Sequence, residues 1–332
     1  MRPPLPVKDG VGPTRLRIPS DGSWPTVGAF LIDRFPHLDP TEVERRLAAG
    51  EFVGIDGAVV TQHTALGEHE FVWYYREIPN EEPLPYRETV LHVDDDLIVI
   101  DKPHFLPTTP GGRYLRESAL VRLRLAFDNP DITPIHRLDR PTAGLVMFST
   151  RPDTRGLYQT LFAERRVSKT YEAVSALPDD WNPSTPTAAG HAFPITYRNR
   201  IVRDRDAQGF GLRVAVDEGG APNAETTIEA IGAGTSRTGR RVVHTALHPK
   251  TGRTHQLRVH LSALGIPILG DRWYPDLLPE APDDPSLPLQ LLARELRFTD
   301  PLTGRSRTFI SGMDLSERPV DGDVAPTPGA PR

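Results

Sequence analysis

Short apolar runs broken by Gly, Pro and acidic turns dominate the chain, and helical periodicity is confined to a few segments. "TVGAFLIDRFP" places Val27, Phe30, Leu31 and Phe35 at helical spacing. "DPTEVERRLAAGEF" follows, with Asp39 as N-cap, Pro40 in the first turn and Gly50 as the stop. "FVGIDGAVV" carries an Asp56-Gly57 hairpin signal, and "EFVWYYRE" reads as a closing strand. After the proline-rich "IPNEEPLPYRE", "TVLHVDDDLIVIDKP" reads as two strands joined by an acidic turn. "ESALVRLRLAF" predicts an amphipathic helix with Leu120, Leu123 and Phe127 on one face. The run Gly144 to Phe148 predicts a buried strand, being short and wholly apolar. "KTYEAVSAL" and "RVVHTALHP" read as strands, the second paired with "TTIEAIGAG" across a Gly/Ser/Thr loop. "THQLRVHLSALG" reads as a helix capped by Thr254, lined by Leu257, Leu261 and Leu264, and ended by Gly265.

Few helices among many short strands predict an α+β fold built on a central, mostly antiparallel sheet. The expected divisions are a flexible tail over 1–22, a small module over 23–82, a large domain over 83–313 and a disordered tail over 314–332. At 332 residues the chain can bury a sizeable core. It has no cysteine, which excludes disulfides and cysteine-ligated zinc. With no signal-like start and no long apolar run, a cytoplasmic protein that does not engage membranes is expected.

The net charge of −5 argues against a nucleic-acid partner, but its distribution does not. Residues 136–172 carry seven Arg or Lys against four acids, whereas residues 77–101 carry eight acids against one Arg. Positive potential can therefore focus on one cleft of an acidic protein. There is no phosphate-binding GxxxxGK[ST] loop and no GxGxxG. His255 and His260 stand about 140° apart around a helix, so they do not form a chelating pair, and no metal site is expected. What recurs is Arg, Asp and Tyr. Arg137, Asp139 and Arg140 precede the buried strand, Lys169 and Tyr171 lie in "SKTYEAV", and Arg253, His255 and Arg258 lie in "TGRTHQLRVH". Read from chemistry alone, a structural ion pair orienting the loop is as good an account of Asp139 as catalysis.

"HRLDRPTAGLVMFS", "KTYEAV" and "TGRTHQLRVHLSALGIPILGDRWY" together resemble the three signature motifs of the RluA-type pseudouridine synthases, and the similarity runs from about Leu91 to the end of the large domain. The resemblance implies the pseudouridine synthase fold with an RNA-binding cleft. It also implies an isomerase that detaches uracil from C1′, turns it and rejoins it through C5, with no cofactor. It makes Asp139 the nucleophile, Tyr171 the residue that packs on the base and serves proton transfer, and Arg258 the partner of Asp139. Arg137 becomes the residue that inserts toward the flipped nucleotide. Arg140, Arg165, Arg166, Lys169, Arg253 and His255 are expected to contact RNA. Relatives of this type act on large-subunit (23S) ribosomal RNA, on transfer RNA, or on both. Many carry His where this chain has Ala293.

The segment from about Thr26 to Tyr75 more loosely resembles the S-four-like RNA-binding module. It is degenerate in charge, with only Arg45 and Arg46 forming an obvious phosphate-facing pair. A monomer acting on RNA is expected. Two rivals stand beside this reading. One is a non-catalytic RNA-binding protein that keeps the fold, which the intact Arg137, Asp139, Tyr171 and Arg258 set opposes. The other is a nucleoside glycosylase with an Asp nucleophile, which would need a path for water.

Overall fold

The computed structural model describes residues 3–77, 81–178, 193–204 and 213–321. Contacts gather the chain into two compact units. One comprises Met1–Pro83 and Thr109–Pro130, the other Leu84–Thr108 and Asp131–Arg332.

The first unit holds strands β1 (Thr14–Arg17) and β2 (Phe71–Tyr74) and helices α1 (Val27–Arg34), α2 (Pro40–Ala48) and α3 (Ala119–Ala126). Both early helices begin as their sequence dictates. The Thr26 hydroxyl accepts from the Ala29 N–H and the Asp39 carboxylate from the Thr41 N–H, satisfying donors that the first helical turn leaves open. Gly50 at φ +71° closes α2, a left-handed conformation that costs glycine little. Val27, Leu31, Val43 and Leu47 bury against Phe52, Val60 and Val72. The stretch around α3 belongs here rather than with the larger unit. Val11 packs with Leu115 and Val121, and the Glu81 carboxylate accepts from the N–H groups of Leu115, Arg116 and Glu117 at 2.6–2.9 Å.

Two expectations for this unit are corrected. The supposedly flexible first 22 residues include β1, which pairs with β2, and a buried Ile18; alternation in "TRLRI" supplies the apolar face that the Pro and Gly content obscured. Arg46 does not face solvent either. It is 6% exposed, with Nε on Glu51 at 2.7 Å and Nη2 on the Tyr75 carbonyl at 2.6 Å. Arg45 forks onto Glu42 at 2.9 and 2.7 Å. Arg46 is thus engaged internally, while Arg45 stays on the surface beside Glu42.

The second unit contains β3 (Thr89–Val93), β4 (Leu97–Lys102), β5 (Thr133–Pro134), β6 (Ala143–Ser149), α4 (Pro152–Ala163), β7 (Ser168–Ala176), β8 (Ile195–Arg203) and β9 (Val214–Asp217). It continues with β10 (Ala224–Ser236), β11 (Arg241–Pro249), α5 (Gln256–Ala263), β12 (Leu291–Thr299), β13 (Ser306–Ile310) and β14 (Pro319–Asp321). They form one sheet in the order β3-β4-β6-β12-β7-β11-β10-β8-β9, with β5 on β6, β13 on β12 and β14 on β10. Of these pairings, β6 with β12 is parallel and the others antiparallel. The α+β class with a mostly antiparallel sheet holds.

Every residue of β6 is buried, as its apolar run demands. Gly144 has φ +109°, and a Cβ there would sit 2.4 Å from the Ala293 carbonyl oxygen, so glycine is what lets β6 close on β12. Helix α4 contributes Tyr158 and Leu161 to a core with Leu97, Val99, Leu145 and Met147. Helix α5 buries Leu257 and Leu261, and Leu264 just after it, against Ala173, Ile228 and Leu247. The acids of the 77–101 segment that enter this unit are partly structural. Asp94 is held by Arg307 and His92, and Asp101 accepts from Ser311 and Gly312 at 2.8 Å.

The C-terminal tail expected to be disordered from Asp314 is also corrected, over its first part. Leu315 and Glu317 are buried and β14 adds to β10, because Leu315 joins the Val174 and Leu292 core cluster. The rest of that expectation, residues 322–332, lies outside the described residues.

Candidate active site

The loop of residues 135–142 leaves β5 and enters β6, and the preceding 102–108 segment clamps it. Lys102 is fully buried and gives its three ammonium donors to the carbonyls of Pro103, Leu106 and Arg140 at 3.0, 2.8 and 3.2 Å. Burial pulls this amine down to about 7, against the opposing pull of Asp139. The Thr108 hydroxyl donates to the Leu138 carbonyl at 3.0 Å and accepts from the Leu138 N–H at 3.3 Å. His104 Nδ1 donates to the Pro141 carbonyl at 2.7 Å. The Asp139 carbonyl accepts from the Thr142 N–H at 3.1 Å, which closes the turn. Backbone on both sides of Asp139 is therefore fixed before its side chain is considered.

Asp139 meets α5. Arg258 Nη1 stands 3.4 Å from Asp139 Oδ2, and His255 Nε2 stands 3.7 Å from the same oxygen. The tighter partner of Arg258 is another acid. Its Nε and Nη2 fork onto Asp271 at 2.7 Å each, and both side chains are almost fully buried, at 4% and 1% exposed. Asp271 also accepts from the N–H groups of Trp273 and Tyr274. The guanidinium lies 5.6 Å from the Trp273 ring centre and 5.3 Å from that of Tyr274. With two donors committed to Asp271, Arg258 presents its remaining edge to Asp139. A bidentate, caged guanidinium of this kind is a fixed point rather than a swinging charge.

The helix itself starts later than expected. Thr254 is not its cap. Gln256 is the first helical residue, and His255 precedes it with left-handed backbone, φ +50°. The Gln256 carboxamide organises the approach: it accepts from Thr251 and the Arg253 N–H, and donates to the Glu225 carbonyl and Thr226. Polar satisfaction of a buried amide, which sequence periodicity does not register, sets this start.

Arg137, Asp139, Lys169, Tyr171, Arg253, His255 and Arg258 all line one cleft of about 390 Å³. Tyr171, in register with Leu247 of β11 and Ala293 of β12, forms part of its wall. Burial, with the neighbouring Asp139 charge, pushes its phenol up, so the hydroxyl is protonated at neutral pH. The side chains of Arg137 and Lys169 have no hydrogen bond or ion pair among the described residues, and burial lowers Lys169. The remaining three expected RNA contacts do not line the cleft. Arg140 turns to Asp283, with both bonds at 2.6 Å, while Arg165 and Arg166 are exposed after α4. Sequence reading missed Asp271, Gln256 and Lys102. Asp271 alone left a trace, as an isolated acid in "ILGDRWY".

A carboxylate presented by a clamped loop, beside a fixed guanidinium and a protonated phenol in an open, cation-rimmed cleft, suits attack on a nucleotide. The chain belongs to the RNA pseudouridylate synthase family, whose model matches residues 96–263. Proteins named RluA are among its curated relatives. It is 33% identical to the dual-specificity RNA pseudouridine synthase RluA of Escherichia coli, over 68% of this chain and 93% of that protein. An uncharacterised RNA pseudouridine synthase of Synechocystis is 29% identical over 74% of this chain and 78% of its own. Among solved structures, human RNA pseudouridylate synthase domain containing 1 shares the fold, with a TM-score of 0.54 and 24% identity over 72% of this chain and 91% of its own. The protein is thus an RNA pseudouridine synthase, an isomerase. Among the described residues no helix is long and apolar enough to cross a membrane.

Proposed function

We propose that this chain converts specific uridines of 23S ribosomal RNA, transfer RNA or both to pseudouridine, with Asp139 as nucleophile and no cofactor. The observation that carries the reading is the asymmetry of the Asp139 carboxylate. Oδ2 faces Arg258 and His255, while Oδ1 has no hydrogen-bond partner among the described residues and belongs to a cleft-lining side chain. A flipped uridine entering the cleft meets that oxygen on one side and the Tyr171 ring on another. Arg137 stands at the rim, exposed, where it can fill the vacated stack and offset an unstacking cost of a few kcal/mol. Lys169 and Arg253, which line the cleft, are assigned to phosphates in this reading. The test is genetic: pseudouridines are mapped in total RNA with the gene intact, deleted, and restored as Asp139→Asn. Sites lost on deletion and not restored by the variant identify the substrate. Absence of any lost site would overturn the reading.

Tyr171→Phe keeps the ring and removes the hydroxyl. Stacking on an aromatic face contributes about 1–3 kcal/mol per base, so RNA affinity should stay within about twofold. Turnover should drop by about 10²-fold or more, the range for a lost proton-transfer group. A kinetically silent variant would leave Tyr171 as a platform only.

Arg165 and Arg166 are proposed to extend the RNA path beyond the cleft. Affinity for the RNA should fall with salt at about 0.7 log units per log unit of salt for each single-strand phosphate contacted. Reversing both charges to Glu should flatten that slope by one to two contacts and leave single-turnover chemistry unchanged at saturating protein. An unaltered slope would remove both residues from the RNA path.

A further inference from the structure

His255, expected on the RNA, lines the cleft and also stands between two partners, Tyr274 and Asp139. Its side chain is only 7% exposed, and its backbone is held left-handed (φ +50°), a conformation uncommon outside glycine. Its two ring nitrogens face different partners. Nδ1 is 3.0 Å from the Tyr274 hydroxyl, and Nε2 is 3.7 Å from Asp139 Oδ2. The tautomer follows from the tyrosine. The Tyr274 oxygen accepts from the Val214 N–H at 3.1 Å, so its own proton needs an acceptor. Tyr274 is buried, and among the described residues that acceptor is His255 Nδ1. A buried hydroxyl left without an acceptor keeps an unmet desolvation cost, which selects between the two imidazole tautomers. The order of donation is therefore Val214 N–H to Tyr274 oxygen, then Tyr274 O–H to His255 Nδ1, which leaves the imidazole proton on Nε2.

We propose that His255 is a positioning residue of the reaction: a neutral imidazole, locked as the Nε2–H tautomer by Tyr274, that aims this proton at Asp139 Oδ2 and, together with Arg258, leaves Oδ1 as the reacting oxygen. This rests on the reading of Asp139 as nucleophile. The charged and titratable groups around the ring are Asp139 on the 135–142 loop, Arg258 on its own helix, Asp271 and Tyr274 beyond that helix, and Arg137. The edges of Trp273 and Tyr274, at 4.9 and 5.8 Å between ring centres, complete its enclosure. Burial brings the imidazole down to about 4, with the Asp139 charge opposing and Arg258 reinforcing, so it is uncharged at neutral pH. A neutral donor suits this place. It steadies one carboxylate oxygen without placing a second full cation beside Arg258. The 3.7 Å separation is longer than a hydrogen bond, and such contacts tighten when substrate closes the site.

The first experiment needs neither RNA nor turnover. In ¹⁵N-histidine-labelled full-length protein at pH 7, the His255 signals, assigned by their loss in His255→Gln, should show Nε2 protonated and Nδ1 bare. In Tyr274→Phe the Nδ1 signal should move as the lock is lost. A protonated Nδ1 in the wild type overturns the proposal. The second experiment is kinetic. His255→Leu should lower kcat about tenfold or more with KM for RNA within twofold, and His255→Gln, which can place an amide N–H near Nε2, should recover part of that loss. Equal kcat for the Leu and Gln variants, or an effect confined to KM, overturns the proposal. If Asp139→Asn is inactive while His255→Leu is silent, this inference fails and the nucleophile stands. If Asp139→Asn is active, the nucleophile reading itself fails.

Discussion

Asp139→Asn should bind RNA within a few-fold of wild type and release no tritium from RNA labelled at uridine C5, a loss of more than about 10³-fold. That loss corresponds to at least about 4 kcal/mol of barrier. The change keeps the side chain's volume and removes its charge and nucleophilicity. Its effect on folding should be small, because the carboxylate is 28% exposed and only loosely paired, with Arg258 at 3.4 Å. Arg258 keeps its tighter partner in the variant. A melting temperature within a few degrees of wild type is therefore part of the expected result, and it separates a chemical defect from a folding one. Activity within tenfold of wild type would remove Asp139 from the nucleophile's role.

The opposite pattern is expected at Asp271. Asp271→Ala leaves Arg258 buried with two unpaired donors, and breaking a buried pair from one side costs about 3–5 kcal/mol. Two backbone N–H groups, of Trp273 and Tyr274, lose their acceptor at the same time. For a unit of this size the melting temperature should drop by about 10 °C or more, and activity should fall with it because Arg258 is no longer held against Asp139. Circular dichroism melts of Asp139→Asn and Asp271→Ala side by side make the comparison direct. If the Asp271 variant melted like wild type, the Arg258 cage would not depend on this carboxylate. The two acids share one arginine, and their expected phenotypes differ because one is sealed and the other is open to the cleft.

What was legible in the chain was local. The Asp39-Pro40 start of α2, its Gly50 stop and the apolar β6 run are decided by neighbours a few residues away, and they appear where the sequence puts them. The motif residues Asp139, Tyr171 and Arg258 were readable through resemblance, and the cleft does gather them. Partnerships across long separations were not readable. Nothing in "IDKP" announces that Lys102 will cap the carbonyl of Arg140, 38 residues on, and nothing in "RTHQLR" says that Arg258 prefers Asp271 to Asp139. Arg46 looked like a surface cation because Glu51 and the Tyr75 carbonyl converge on it only in three dimensions. Thr254 had the right chemistry for a cap, but the left-handed His255 and the buried Gln256 carboxamide determine where that helix begins.

The first unit is written into the gene in two pieces, Met1–Pro83 and Thr109–Pro130, with part of the sheet unit encoded between them. A polypeptide leaving the ribosome therefore cannot finish that unit when its first 83 residues emerge. Val11 waits for Leu115 and Val121, and Glu81 for the N–H groups of Leu115 to Glu117. At a synthesis rate of about 5–20 residues per second the delay is several seconds, during which the Val11 side of the unit lacks its cover. By the time it closes, β3 and β4 are already outside the tunnel. A gene fusion that borrows residues 1–83 alone would carry that gap with it permanently.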